Sequence, residues 1–210
     1  MVHYKLIYFN VRALAEASRQ IFHLAGVPFE DVRIQRNDPT WETDIKKSTP
    51  FGKMPVLSVD GFDIPQSAAI ARYLSRKFGF AGKTPEEEAW VDAIVDQFKD
   101  FFEDLRKFII ANRLGKPAEE IEKIRNEIVN PSRDNYLRII TGILQKSKSG
   151  FLVGDNVTFA DLVIADSLVT LEKNGFFKKE DYPIAANHQL KIHNLPKLKE
   201  WIETRPDTQL

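Results

Sequence analysis

The sequence predicts an α/β domain followed by an all-helical domain. Three observations carry this. Every β-branched or aromatic run of strand character lies in the first 65 residues, a full helix-start signature stands at Thr84-Pro85-Glu86-Glu87, and beyond it apolar residues recur at helical spacing. With 210 residues, 43 % of them apolar, the chain can bury a core as one large domain or two small ones without disulfide or metal support.

Residues 4–9, YKLIYF, read as the first strand, and Asn10, Val11 and Arg12 as a loop. Ala17, Ile21, Leu24 and Ala25 give a helix from about Leu14 to Ala25, stopped by Gly26 and Pro28. Glu30 to Ile34 is the second strand, so this strand–helix–strand unit should cross over right-handedly. Trp41 to Lys47 suggests a short irregular helix. Val56–Val59, the Asp60-Gly61 turn and Phe62–Ile64 then form a hairpin signal. A helix over Ser67–Lys77 turns Ala68, Ile70, Ala71 and Leu74 towards the sheet and ends near Gly79. The order βαβ then ββα implies a thioredoxin-like domain over residues 1–78, with 79–85 as a linker.

The helical domain is expected over 86–210. Thr84 as N-cap, Pro85 at the first helical position and Glu87 two residues later start a helix that reaches about Arg113. Its apolar stripe, from Val91 to Ile109, is broad enough to require burial on more than one side. The next helix, about Ala118 to Lys146, should kink or break at Pro131, which lacks an N–H and crowds the carbonyl of Glu127. Thr158-Phe159-Ala160-Asp161 is a capping box, with Val157 and Leu162 placed as a hydrophobic staple, for a helix ending near Lys173. Two shorter helices, about Pro183–His193 and Pro196–Thr204, follow, with no internal repeat.

Several function classes fall away. Thirty basic residues balance thirty acidic ones, so no net positive field draws nucleic acid or an anionic membrane. The chain has no cysteine, which removes disulfides, thiolate metal sites and protein-thiol chemistry and suits the reducing cytoplasm. The N-terminal MVHYKLIYFN lacks the pattern of a signal peptide, and no apolar run approaches a membrane span. His188 and His193 are five residues apart, about 140° on a helix, and so are poorly placed to share a metal. No phosphate-binding glycine loop or serine-nucleophile elbow is present.

A thioredoxin-like domain without cysteine cannot exchange dithiols, so its remaining use is to hold a peptide-like thiol from outside. Four segments, YKLIYFNVRALAE, PFGKMPVL, DIPQSAAIARYL and GFLVGDNVTFADL, together resemble the sigma-like glutathione transferases. With the C-terminal KLKEWIETRP they are most similar to the nematode branch, sometimes called the nu class. The resemblance spans nearly the whole chain. It implies a cytoplasmic homodimeric enzyme that conjugates glutathione, as co-substrate, to hydrophobic electrophiles, with no cofactor and no metal.

The resemblance also assigns residues. Tyr8, at the end of the first strand, would donate its phenol proton to the glutathione sulfur. Read from the strand alone, Tyr8 is a core aromatic, as Tyr4 remains. Met54 and a cis Pro55 would turn backbone groups out to pair with the cysteinyl unit, while Gln66 and Ser67, at a helix N-terminus, would take the γ-glutamyl carboxylate. Trp41, Lys53 and Lys46, with Lys47 as the alternative to Lys46, would face the glycine end. Asp100 would reach across a homodimer to the glutathione amino group, and Phe51 lies where some classes present an aromatic key to the partner. Phe9, Arg12, Leu14, Phe102 and Arg106 are the expected walls of the co-substrate site. Leu14 stands where many sigma members carry an arginine near the thiolate, which argues against a prostaglandin isomerase and makes that site more apolar. Asp155 and Asp161 are expected to serve folding through the capping motif. The rivals are a ligandin-type carrier of haem or other apolar molecules, a crystallin-like structural protein, and a glutathione-dependent isomerase or peroxidase.

Overall fold

A computed structural model describes residues 2–208. Strand β1 (Tyr4–Phe9) runs parallel to β2 (Glu30–Ile34) and antiparallel to β3 (Val56–Val59), which pairs with β4 (Phe62–Pro65), giving the sheet order β2-β1-β3-β4. Alternation sets the faces: Tyr4, Leu6 and Tyr8 are buried on one side of β1 while the residues between them are half-buried. Helices α1 (Glu16–Ala25) and α3 (Ser67–Phe78) pack against each other, and Tyr4 meets Phe22 and Phe78 at ring-centroid distances of 5.2 and 6.0 Å. Left-handed Gly26 and Gly79 end these helices, as their positions predict. Between β2 and β3, a wide turn over Trp41–Ile45 leads into a single helical turn, α2 (Lys46–Ser48).

The rest of the chain is helical, with α4 (Pro85–Arg113), α5 (Ala118–Ile124), α6 (Asn130–Lys146), α7 (Phe159–Lys173), α8 (Pro183–His193) and α9 (Pro196–Thr204). A thioredoxin-like sheet domain followed by a helical domain is therefore the fold. At the head of α4, Thr84 Oγ1 accepts from the Glu87 N–H at 3.2 Å. The Glu87 carboxylate reaches one residue beyond the cap, accepting from the Lys83 N–H at 2.7 Å. The expected single helix over 118–146 is divided. Its break precedes Pro131: the Asn130 N–H bonds back to the Arg125 carbonyl, so the backbone widens by one residue over Arg125–Val129 before the proline enters α6.

Most of helix α7 is buried: Phe159, Leu162, Ile164, Leu168 and Leu171 are each 1 % exposed or less, and its polar Asp161, Asp166, Ser167 and Thr170 are buried with them. Its capping box forms as expected, with Asp161 Oδ2 accepting from the Thr158 N–H at 2.8 Å. The other oxygen of Asp161 accepts from the Leu152 N–H at 2.8 Å and lies 2.9 Å from His188 Nε2, tying three segments together. Asp155 takes no part in this; its side chain is exposed, 4.0 Å from Lys83. The segment between α3 and α4 is seated rather than loose. Ala81 is buried, the Phe80 carbonyl accepts from the Phe159 N–H at 3.0 Å, and at Gly82 (φ 128°) a Cβ would come within 2.9 Å of the Glu88 nitrogen.

Candidate active site

A cavity of about 250 Å³ opens between the end of β1, the start of α3, and helices α4 and α7. Tyr8, Phe9, Leu14 and Ser67 line it from the sheet side, and Phe98, Phe102, Leu105, Arg106 and Ile109 from α4. Strand β1 delivers Tyr8 because period-2 alternation places position 8 on the helix-covered face, and the strand ends one residue later. The ring is almost wholly buried, at 6 % exposure. Burial pushes the phenol's pKa above its ordinary value, against the opposing pull of the Leu14 backbone N–H and the Arg36 and Arg19 charges. The phenol therefore keeps its proton through neutral pH, and Tyr8 is part of the cavity lining.

Backbone conformation shapes the sheet side. The Met54–Pro55 peptide is cis, leading directly into β3. Gln66, at φ 75°, holds a positive φ that non-glycine residues rarely adopt, and it immediately precedes the first residue of α3, Ser67. Free N–H groups at that helix start make the place suited to a carboxylate.

The remaining expected residues lie around this centre. Trp41 packs edge-on against Phe9 at 5.0 Å. Lys46 is paired with Glu42 at 2.9 Å, and Lys53 and Gln66 are exposed. Asp100 is exposed on α4, and Phe51 is 62 % exposed.

Arg12 requires a correction. It is 2 % exposed and does not line the cavity; its guanidinium donates to Asp166 at 2.7 Å and to Thr170 at 3.5 Å. It belongs to a buried ionic cluster beneath the cavity floor. Arg205 meets Asp166 at 3.3 Å and Glu16 at 2.6 Å, the Trp201 indole donates to Glu16 at 2.8 Å, and Arg19 meets Asp31 at 3.0 Å. Burial would raise the carboxyl pKa of Glu16, but the charges of Arg205 and Arg19, with hydrogen bonds from Arg205 and Trp201, hold it below its ordinary value. At Asp166 burial prevails over its arginines and raises it. A loop arginine next to a site reads from sequence as a wall; here a carboxylate on α7, 154 residues away, claims it.

Sequence reasoning also missed Arg36, Lys99 and Arg113, three cations that line the cavity. The available signal was the seven-residue spacing of Lys99, Arg106 and Arg113, obscured because α4 is apolar on several sides.

The description "Glutathione S-transferase, N-terminal domain" matches residues 4–76, and "Glutathione S-transferase, C-terminal domain" matches residues 99–205. Glutathione S-transferase 3 of Caenorhabditis elegans is 50 % identical over 209 residues, with both chains covered completely. The chain belongs to the glutathione S-transferase family. Glutathione S-transferase 1 of Ascaris suum is 47 % identical over 216 residues, covering 99 % of each chain. The solved structure of a nu-class glutathione transferase from Haemonchus contortus superposes with a TM-score of 0.89 at 45 % identity over the full length of both chains. The family and its nematode affinity thus agree with the resemblance carried by the four sequence segments.

Proposed function

We propose that this family member conjugates glutathione to apolar electrophiles, with the Tyr8 phenol donating a hydrogen bond that holds the glutathione sulfur as a thiolate. The supporting observation is the shared cavity: a buried, protonated phenol and the start of α3 open onto the same space as the apolar side chains of α4. In this reading residues 1–78 hold glutathione, residues 86–210 hold the co-substrate, and 79–85 join them. Backbone groups beside Pro55 pair with the cysteinyl unit, Gln66 and Ser67 take the γ-glutamyl carboxylate, and Trp41, Lys46 and Lys53 face the glycine end. Asp100 and Phe51, both outward-facing, act in a homodimer in the cytoplasm.

The chemical demand on Tyr8 is modest. A free thiol of pKa about 8.5 is roughly 3 % ionised at pH 7, and lowering it by about two units, worth roughly 2.7 kcal/mol, makes most of it thiolate. One aimed donor in a site shielded from water, with the Arg36 charge nearby, is of that order. The sulfur lone pair then forms a C–S bond to the electrophilic carbon, and the displaced electron pair leaves with the leaving group or moves into the acceptor. Holding both reactants in one cavity adds the proximity contribution. Tyr8→Phe should retain glutathione binding and lower turnover of a generic aromatic electrophile about 10²-fold. Steady-state kinetics beside a glutathione titration checks this, and undiminished turnover would remove Tyr8 from the mechanism.

A further inference from the structure

The turn that carries β1 into α1 is strained. Ala13 holds φ 34°, in the region that favours glycine, and it opens a single 3₁₀ turn, Ala13–Ala15, that leads into Glu16 at the start of α1. Ala13 and Leu14 both line the cavity, and the Leu14 backbone N–H acts on the Tyr8 phenol. A residue with a side chain stays in such a conformation only where its surroundings hold it there.

Residues 205–208, which follow α9, hold both ends of this turn. Ahead of it, the Arg12 N–H donates to Thr208 Oγ1 at 3.3 Å. Behind it, the Glu16 carboxylate accepts from Arg205 at 2.6 Å, and the same guanidinium reaches Asp166 of α7 at 3.3 Å. The segment is anchored in turn from the end of α7, where Lys173 Nζ donates to Asp207 at 2.6 Å and to the Thr208 carbonyl at 2.8 Å. Arg19 completes the frame from within the sheet domain, donating to the Val11 carbonyl at 2.8 Å and to the Arg12 carbonyl at 3.4 Å. A segment that meets Arg12 from 196 residues away in sequence thus brackets three residues beside the phenol.

We propose that residues 205–208 are a strap that holds the strained Ala13 turn in place, which makes Lys173 and Arg205 positioning residues for the Tyr8 phenol. Neither cation lines the cavity; both act through the backbone of residues 12–16. This role rests on the reading of Tyr8 given above and adds a mechanical requirement to it, because the Leu14 N–H is only as well aimed as the strap is tight. The Arg36 and Arg19 charges also act on the phenol, and they do so without the strap, so its loss weakens the site rather than abolishing it. The competing account is structural: the segment only covers the buried ionic cluster.

Lys173→Gln in the full chain tests the strap from its exposed end, leaving Arg205 paired with Glu16 and Asp166. The pH midpoint at which bound glutathione ionises, read from thiolate absorbance in the ultraviolet, should rise by about half a unit. Turnover of a generic aromatic electrophile below that midpoint should fall about threefold, with the KM for glutathione unchanged. Lys173→Arg should restore most of the loss. Arg205→Gln should cost about tenfold, but it also strips charge from buried Glu16 and Asp166, so urea unfolding is measured beside the kinetics of every variant. Ala13→Gly, which adopts φ 34° without strain, should recover at least half of the Lys173→Gln loss when the two are combined, because an unstrained turn needs less holding. A Lys173→Gln protein that is less stable in urea while its midpoint and turnover stay put makes the segment purely structural and overturns the proposal, as does a combined variant that recovers nothing. Tyr8→Phe tells this apart from failure of the catalytic reading. A midpoint unmoved by Tyr8→Phe removes the phenol and the strap's action on it together, whereas a midpoint raised by Tyr8→Phe and unmoved by Lys173→Gln removes the strap alone.

Discussion

The two walls of the cleft are built by different means. On the sheet side the decisive features are backbone conformations: the cis peptide before Pro55, the positive φ of Gln66 and the start of α3. On the α4 side they are side chains repeated along one regular helix, in which backbone groups are already paired with each other. Substitution readily alters the second wall, because a helix accepts most side chains without moving. The first resists change, since its hydrogen-bonding groups are held by the main chain. Under the proposed function this division places the constant tripeptide on the backbone-built wall and the variable co-substrate on the other.

The largest expected effect tests the boundary between the walls. Arg12→Met should destabilise the fold by about 3 kcal/mol, because it takes from buried Asp166 its closest cation. Co-substrate affinity should be unaffected in whatever fraction stays folded, as measured by urea unfolding beside kinetics; the reverse pattern would return Arg12 to the cavity wall. Next in size, Phe102→Ala should raise the KM for an apolar co-substrate about tenfold through lost contact area, with the glutathione KM unchanged. If both constants rise together, the two walls do not work separately. The smallest effect belongs to the backbone wall. Gln66→Gly should relieve left-handed strain and raise stability by up to about 1 kcal/mol, offset in part by the flexibility of glycine when unfolded. Glutathione binding should weaken at the same time, and a variant that is both less stable and equally tight would refute the assignment of that strain to the site.

Regular structure was legible in the sequence wherever local signals were complete. The strand alternation of β1, the capping box of α7 and the glycine stops after α1 and α3 each depend on a few neighbouring residues. The division of residues 118–146 was placed one turn late, since the sequence locates the proline but not where the backbone will absorb its missing donor. Tyr8 was legible only through family resemblance, because period and composition make it a core aromatic like Tyr4, and by burial it is one. Arg12 was misassigned because its partner lies on a distant helix. Of the charged row on α4 only Arg106 was anticipated; Lys99 and Arg113 escaped notice because charges on a helix are by default solvated. Only the cavity identifies the face on which they lie.

The seating of Phe80, Ala81 and Gly82 has a consequence for how the molecule admits its ligands. The connection is tied at two points, its carbonyl to α7 and its glycine at a place where α4 leaves no room for a side chain, and this favours a fixed spacing of the two halves over a hinge. With the spacing so held, a change in the girth of the cleft falls to the side chains that line it, Phe98, Phe102 and Ile109 among them.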